Sequence, residues 1–190
     1  IMCWRFYRII SVCQEFVMHK LKISRMDFEL AFELNSYETT AYLDTETGKV
    51  IYIETYAVHQ LEELLTNEET LCDIAVAVQA QDGLTETERE QLMDAARVEK
   101  DVANLYRILP QQAARDGYRN MQEFIELLED EHLRKLLEVA IQGSGAFRRF
   151  KDMLHRYPEA QGDWFKFRDE REQRRRLDWL ESECIEPEFE

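Results

Sequence analysis

The spacing of apolar residues changes along the chain from an alternating pattern to a helical one. Alternation predicts short strands at three places in the first third of the sequence: 21–24, 40–44 and 50–53. The last two flank a turn in which Gly48 can adopt the positive φ that a tight hairpin needs. Between the first strand and the hairpin, Phe28, Ala31 and Phe32 share one face of a helix over 25–34, with Ser24 as its N-cap.

Beyond the hairpin the apolar residues recur at helical spacing. The groups that predict helices are Leu61, Leu64 and Leu65; Leu71, Ile74, Ala75 and Val78; Leu92, Ala95, Ala96 and Val102; Met121, Phe124, Ile125 and Leu128; and Leu133, Leu136, Leu137 and Ala140. Thr85 and Glu88 have the spacing of a capping box that opens the third of these helices. Residues 105–109 fit either the end of that helix or a fourth strand, and Pro110 ends whichever forms.

Two more helices are predicted in the C-terminal part of the chain. Gly143 and Gly145 end the helix before them and permit a sharp change of direction. The residues expected to point inward from the next helix are Phe147, Phe150, Met153, Leu154 and Tyr157. Pro158 begins a last helix that runs through Trp164 and Trp179.

These elements predict an α+β fold that is predominantly helical, with a small antiparallel hairpin-based sheet near the N-terminus and a C-terminal helical unit. The 190 residues are enough for one sizeable core. We expect residues 1–19 to form an N-terminal extension, in which the amphiphilic stretch 4–18 is a packed or partner-bound helix or an irregular segment. Residues 20–190 then form a single globular domain, with the hairpin and acidic helices in 20–110 and the helical unit in 111–186.

Charge is distributed unevenly along the chain. The formal net charge of -15 disfavours general binding to nucleic acid or anionic membranes. Residues 61–142 contain 8 Lys/Arg against 19 Asp/Glu, whereas 143–176 contain 10 against 6. A cationic segment between acidic ones suits either a focused anion site or a charge match within the chain, and ordinary surface ion pairing is the simpler explanation.

The cysteines and the hydropathy indicate a cytoplasmic protein without membrane association. Cys3, Cys13, Cys72 and Cys184 form no Cys-x-x-Cys pair and no disulfide framework. No apolar run approaches the roughly 20 residues that span a bilayer, and no signal-peptide pattern is present. Cys72 lies in an apolar helical stripe, so we expect it to be a buried packing residue.

The segment 143–176 contains the richest chemistry. Gly143 and Gly145 could present backbone N–H groups to a phosphate or carboxylate beside arginines, although a helix–helix turn explains the glycines equally well. The aromatic and basic side chains that follow could bind single-stranded nucleic acid or a protein. The candidate binding residues are Gly143, Gly145, Arg148, Arg149, Lys151, Trp164, Phe167, Arg168 and Arg171. Helical spacing directs most of the rings inward, and Arg174–Arg176 could instead lie along neighbouring acidic helices.

Metal and catalytic patterns are weak. Glu129-x-x-His132 and Asp152-x-x-His155 each offer two ligands on one helix face, but the further inward carboxylates of a metal pair are missing from the pattern. Ser144 has no Gly-x-Ser-x-Gly context, and no nucleotide-binding glycine motif is present. We therefore expect no metal or other cofactor and assign no catalytic residue.

Several segments together resemble a known family over roughly residues 20–186. They are Leu21–Ser24 with the hairpin up to Val50, Met121–Ile125, Gly145–Lys151, Trp164–Phe167 and Trp179–Leu180. The run Gly-Ala-Phe-Arg-Arg-Phe-Lys is the most specific of them, and the chain resembles the bacterial group called uncharacterised protein family 0158. The family is defined by sequence, and membership implies that these segments form one unit.

The absence of a catalytic pattern, the segregated charge and the aromatic–arginine segment favour a binding or regulatory module that acts through protein contacts. A protein is the expected partner. The alternative is binding of nucleic acid, a nucleotide or phosphate through residues 143–176, and an enzyme is the third hypothesis. The sequence leaves the oligomeric state open.

Overall fold

The computed structural model describes residues 18–64, 70–111 and 114–190. In chain order the elements are β1 (His19–Ile23), α1 (Arg25–Leu34), β2 (Thr39–Asp44), β3 (Val50–Glu54), α2 (Thr55–Leu64), α3 (Leu71–Ala80), α4 (Glu86–Glu99), β4 (Tyr106–Ile108), α5 (Ala114–Leu127), α6 (Glu131–Ala140), α7 (Ala146–Leu154), α8 (Pro158–Ser182) and β5 (Ile185–Phe189). The predominantly helical α+β fold class is confirmed. Of the predicted N-terminal extension, residues 1–17 lie outside the described residues, and His19 already belongs to β1.

The strands of the described residues form two small sheets. β2 pairs antiparallel with β3, which confirms the hairpin, and also with β4, so residues 106–108 are a strand. β1 pairs in parallel with β5 at the other end of the chain. The sequence pattern does not predict β5, because its polar residues and Pro187 make it read as an acidic tail. Proline is tolerated there because an edge strand can leave one backbone position without a donor.

The hairpin turn packs directly against β1. The Asp44 carboxylate accepts hydrogen bonds from the backbone N–H groups of Glu46 at 2.8 Å and Thr47 at 3.1 Å. Gly48 has a φ of +75° and donates its N–H to the Asp44 carbonyl oxygen at 2.8 Å. A Cβ atom at Gly48 would lie 1.8 Å from the Lys22 carbonyl oxygen. Only glycine therefore allows both the turn and its close approach to β1.

Three apolar clusters form the core of the described residues. On one face of the three-stranded sheet, Leu43 joins a cluster with α1, β1, β5 and the end of α8. On the other face, Ile51 and Ile53 pack with α2, α3 and α4. The third cluster joins α5, α6, α7 and the start of α8. Helix α8 takes part in two clusters, through Trp164 in one and Leu180 in the other, and so connects the sheet region to the C-terminal helices.

Local capping signals hold where they were predicted, whereas the expected place of Val102 in a helix and the expected burial of Cys72 are wrong. Thr85 and Glu88 form the expected capping box at the start of α4. Helix α4 ends at Glu99, so Val102 lies beyond it and is 98% exposed. Cys72 is exposed, because it occupies the second position of α3 and the core-facing residues of that helix are Ile74 and Val78.

Helix α8 is the longest described helix, with 25 residues, but charged side chains recur along its whole length. Within residues 18–64, 70–111 and 114–190, no helix combines the length and the apolar character needed to cross a membrane.

The start of β4 is fixed by the Asp101 carboxylate. It accepts hydrogen bonds from the backbone N–H groups of Leu105 at 2.9 Å and Tyr106 at 2.8 Å. Desolvation disfavours the charged carboxylate, but these hydrogen bonds and the nearby Arg107 outweigh it and hold the pKa of Asp101 below its usual value. The charged form of Asp101 therefore stabilises the folded chain.

We expect Asp101→Asn to lower stability at neutral pH and to flatten its dependence on acid. A carboxyl with a lowered folded pKa stabilises above its unfolded pKa of about 3.9 and loses that contribution as the pH falls through the folded pKa. Urea unfolding of both proteins from pH 7 down to pH 3 measures this, and the difference between them should shrink toward the acid end. A difference that stays constant with pH would contradict the charge-based explanation.

Candidate functional site

The glycine turn between α6 and α7 is shaped by backbone conformation. Gly143 and Gly145 have φ values of +70° and +78°, in the left-handed region that side chains disfavour. Gly145 is the N-cap of α7 and has no side chain with which to cap it. These angles account for both glycines as parts of a helix–helix turn.

Arg149 is bonded to the end of the preceding helix. Its Nε donates to the Ala140 carbonyl oxygen at 2.9 Å. One terminal nitrogen donates to the Ser144 carbonyl oxygen at 2.6 Å, and the other terminal nitrogen donates to the Gln142 carbonyl oxygen. These oxygens include groups that the end of α6 leaves without a helical partner. Arg149 thus fastens α7 to the turn, and three of its donors are used within the chain.

Arg149→Met should destabilise the chain by about 1–3 kcal/mol, because it removes these hydrogen bonds and keeps most of the side-chain volume. Arg148→Met is the matched control, since the Arg148 side chain is 89% exposed and pairs with Asp152 at a distance of 3.7 Å. We expect the control to change stability by less than about 0.5 kcal/mol in urea unfolding. Equal losses in the two variants would show that Arg149 does not hold the turn.

The aromatic residues of the segment divide into core and surface. Trp164 is 8% exposed, and its ring lies 4.8 Å from that of Phe150 and 5.3 Å from that of Phe124 between centroids. Phe147 was expected inside, but it is exposed because Ala146, Phe150 and Leu154 form the buried face of α7. Trp164, one of the candidate binding residues, therefore packs in the third cluster and does not offer a free ring face.

The basic residues of the segment are mostly engaged by acids or carbonyls. Arg171 pairs with Glu123 at 2.6 Å, and Arg168 pairs with Asp169 at 2.8 Å. Lys151 is exposed on α7 and forms no ion pair with any residue that the structure describes. The structure thus spreads the sequence-predicted residues over the glycine turn, the core and the ion pairs of α8.

Arg174–Arg176 partly follow the expectation that they lie along neighbouring elements. Arg175 donates to the Gln111 carbonyl oxygen at 2.6 Å. Arg176, whose side chain is 14% exposed, lies between Glu172 at 3.7 Å and Glu29 at 3.9 Å. The arginine run therefore connects α8 to α1 and to the segment after β4.

An open groove of about 920 Å³ lies where the corner between α5 and α6 meets the corner between α7 and α8. Its apolar lining includes Phe124, Leu127, Leu128, Leu133, Tyr157 and Phe167. Leu127 is 68% exposed, so an apolar side chain stands in solvent at the edge of the groove. Phe167 is the one sequence-predicted candidate residue in this lining.

The rim of the groove is mainly acidic. The charged rim residues are Glu129, Asp130, Glu159, Asp163 and Glu170, with Arg156 and Lys166. Five acids against two bases give a formal rim charge of -3. No part of the sequence pattern predicts this rim, because its residues come from separate elements and look like ordinary solvated charges.

Both corners are held by local hydrogen bonds. The Asp130 carboxylate caps α6 by accepting from the N–H groups of His132 at 2.8 Å and Leu133 at 3.1 Å. Arg134 donates its Nε to the Leu128 carbonyl oxygen at 3.1 Å and so fastens the end of α5. Tyr157 donates its N–H to the Leu154 carbonyl oxygen at 2.8 Å, just before α8 begins. These hydrogen bonds fix the two corners between which the groove lies.

Metal-ligating residues do not gather in the described part of the chain. Across residues 18–64, 70–111 and 114–190 there is no group of three or more His, Cys, Asp or Glu side chains placed to hold a metal ion. The two Glu/Asp-x-x-His pairs at 129–132 and 152–155 thus remain isolated pairs there.

These features define a mainly helical α+β protein with an open, acidic-rimmed surface groove. By sequence the chain belongs to the Uncharacterised protein family (UPF0158), whose pattern matches residues 84–190 and so includes the whole groove. It is 30% identical over 160 residues to the UPF0158 protein PA5073 of Pseudomonas aeruginosa. The aligned residues make up 84% of this chain and 82% of that protein. The resemblance seen in the sequence is therefore confirmed. No solved structure matches the chain.

Proposed function

We propose that this protein is a binding module that acts through protein contacts, and that the acidic-rimmed groove is its binding site. The observation that carries the proposal is Leu127, which is 68% exposed beside an otherwise packed apolar lining. Exposed apolar surface with a polar rim is typical of protein interaction sites. Small-molecule sites bury most of their ligand in a concave pocket, whereas an open groove suits a segment of another protein.

The test is site-specific photo-crosslinking in the cell that naturally produces the chain. A photoreactive amino acid at Leu127 should yield a discrete protein adduct. The same amino acid at Val139 is the control, because Val139 is 73% exposed on α6 but does not line the groove. Adducts of equal yield at both positions, or none at Leu127, would reject the groove as a protein-binding site.

Nucleic-acid binding through residues 143–176 remains the competing proposal. Exposed Arg148 and Lys151 on α7 support it, whereas the net charge of -15 opposes it. Fluorescence polarisation with labelled single-stranded RNA, single-stranded DNA and duplex DNA over a salt series separates the two proposals. We expect no binding at physiological salt. Tight binding that falls with salt and is lost in Arg148→Glu with Lys151→Glu would favour nucleic acid instead.

A further inference from the structure

The acids of the groove rim differ in how far the fold itself explains them. Asp130 and Glu159 lie at the N-termini of α6 and α8, where a negative charge is favoured by the helix dipole. Asp163 is paired with Lys166 at 3.6 Å. Glu129, the residue before the N-cap of α6, and Glu170, within α8, form no ion pair with any described residue. Two acids therefore stand at the rim with no partner in the described part of the chain.

The secondary structure of the lining restricts what can bind there. Every described lining residue comes from α5, α6, α8 or the corners between helices, so the described lining has no open strand edge. An extended peptide would therefore find no strand to pair with and would gain no backbone hydrogen bonds of the strand-addition kind. A helix satisfies its own backbone and can place one apolar face on the groove.

We propose that the groove binds an amphipathic α-helix that carries lysine or arginine beside its apolar face. The apolar face contacts Leu127, Leu128 and Phe167, and the basic side chains reach Glu129 and Glu170 across the rim. This inference rests on the proposed protein-binding role of the groove and specifies its partner by chemistry. Complementary charge sets which helices bind and how fast they associate, while the buried apolar contact supplies most of the affinity.

The proposal is tested with designed peptides and the full chain. Three labelled peptides of about 18 residues, or five turns, serve as probes. One is a helix of leucine and lysine with leucine on a single face, the second replaces every lysine by glutamate, and the third scrambles the first. Fluorescence anisotropy measures their affinities for the natural chain, Leu127→Asp, the pair Glu129→Gln with Glu170→Gln, and the control Val139→Asp. All substituted residues are exposed, so the variants should fold.

The lysine helix should bind the natural chain and bind about tenfold more weakly to Leu127→Asp. The variant Glu129→Gln with Glu170→Gln should bind the lysine helix about threefold to tenfold more weakly, and this binding should depend less on salt. Val139→Asp should bind the lysine helix with unchanged affinity. The glutamate helix and the scrambled peptide should not bind the natural chain. Lysine-helix binding that ignores Leu127→Asp would reflect general attraction to an acidic chain and would overturn the proposal.

The remaining outcomes separate this inference from the function on which it rests. If the glutamate helix binds as tightly and depends on Leu127, the basic partner is wrong while the groove remains a binding site. If no peptide depends on Leu127 but photo-crosslinking there still traps a protein, the helical partner is wrong and the function stands. If the peptide experiment and the photo-crosslinking both fail, the helical partner and the protein-binding function of the groove are both rejected. Groove-dependent self-association in sedimentation, abolished by Leu127→Asp, would make a second copy the occupant and overturn the proposal.

Discussion

Replacing Gly48 by alanine should destabilise the chain by more than about 3 kcal/mol, at the upper end of what single substitutions do. A Cβ atom there would lie 1.8 Å from the Lys22 carbonyl oxygen and 2.9 Å from its carbonyl carbon. Both atoms belong to the backbone of β1, so no side-chain movement relieves the overlap. The hairpin would have to move away from β1, which pairs with β5 and contributes Leu21 and Ile23 to the core.

Gly83→Ala separates this overlap from the cost of backbone conformation. Gly83 has a similar φ, +86°, but a Cβ atom there would meet nothing within 4 Å. It should cost only the left-handed strain of alanine, about 1–2 kcal/mol. Urea unfolding of the two variants beside the natural chain gives both values. If Gly48→Ala lost no more stability than Gly83→Ala, the close packing of the hairpin on β1 would be wrong.

Features set by neighbouring residues could be predicted from the sequence. Ser24 accepts the hydrogen bond from the N–H of Asp27 at 3.3 Å and caps α1 as expected. The hairpin, the capping box before α4 and the start of α8 at Pro158 also follow their local signals. In each case the partner groups lie within a few residues, so the spacing alone carries the information.

Features that join distant parts of the chain could not be predicted in this way. Asn35 is 7% exposed, and its side chain accepts from the N–H of Ala41 at 3.3 Å and donates to the Leu109 carbonyl oxygen, 74 residues away. From the sequence alone, Asn35 looks like an ordinary polar residue at the end of α1. The parallel pairing of β1 with β5 depends in the same way on both ends of the chain meeting.

The candidate site shows the same division. The sequence indicates that residues 143–176 are rich in basic and aromatic groups. It does not show which of these side chains are buried or already bonded to other residues of the chain. Arg149 is bonded to carbonyl oxygens at the glycine turn and Trp164 is in the core. The groove is built from two corners that are separate in sequence. Leu127 was the available signal, because it is a leucine outside the buried stripe of α5 formed by Met121, Phe124 and Ile125.

Trp164→Ala should destabilise the chain by about 3–5 kcal/mol, the usual cost of removing a buried tryptophan side chain. Its ring contacts those of Phe124 and Phe150 edge-on and lies 6.1 Å from that of Phe167. Phe124 and Phe167 line the groove, so the cavity left by Trp164 would also disturb the surface on which we propose a helix binds. Loss of stability and loss of lysine-helix binding should therefore occur together.

Phe165→Ala is the matched control for this substitution, because Phe165 is the next residue on α8 and is 45% exposed. Its ring contacts the Arg168 guanidinium at 5.5 Å, a surface interaction worth about 0.5–1 kcal/mol, so the control should remain folded and bind the lysine helix. Urea unfolding and peptide anisotropy on the same samples measure both effects. A Trp164→Ala protein of normal stability that had lost binding to single-stranded nucleic acid would instead identify Trp164 as a stacking residue. That result would overturn its place in the core and with it the packing argument for the groove.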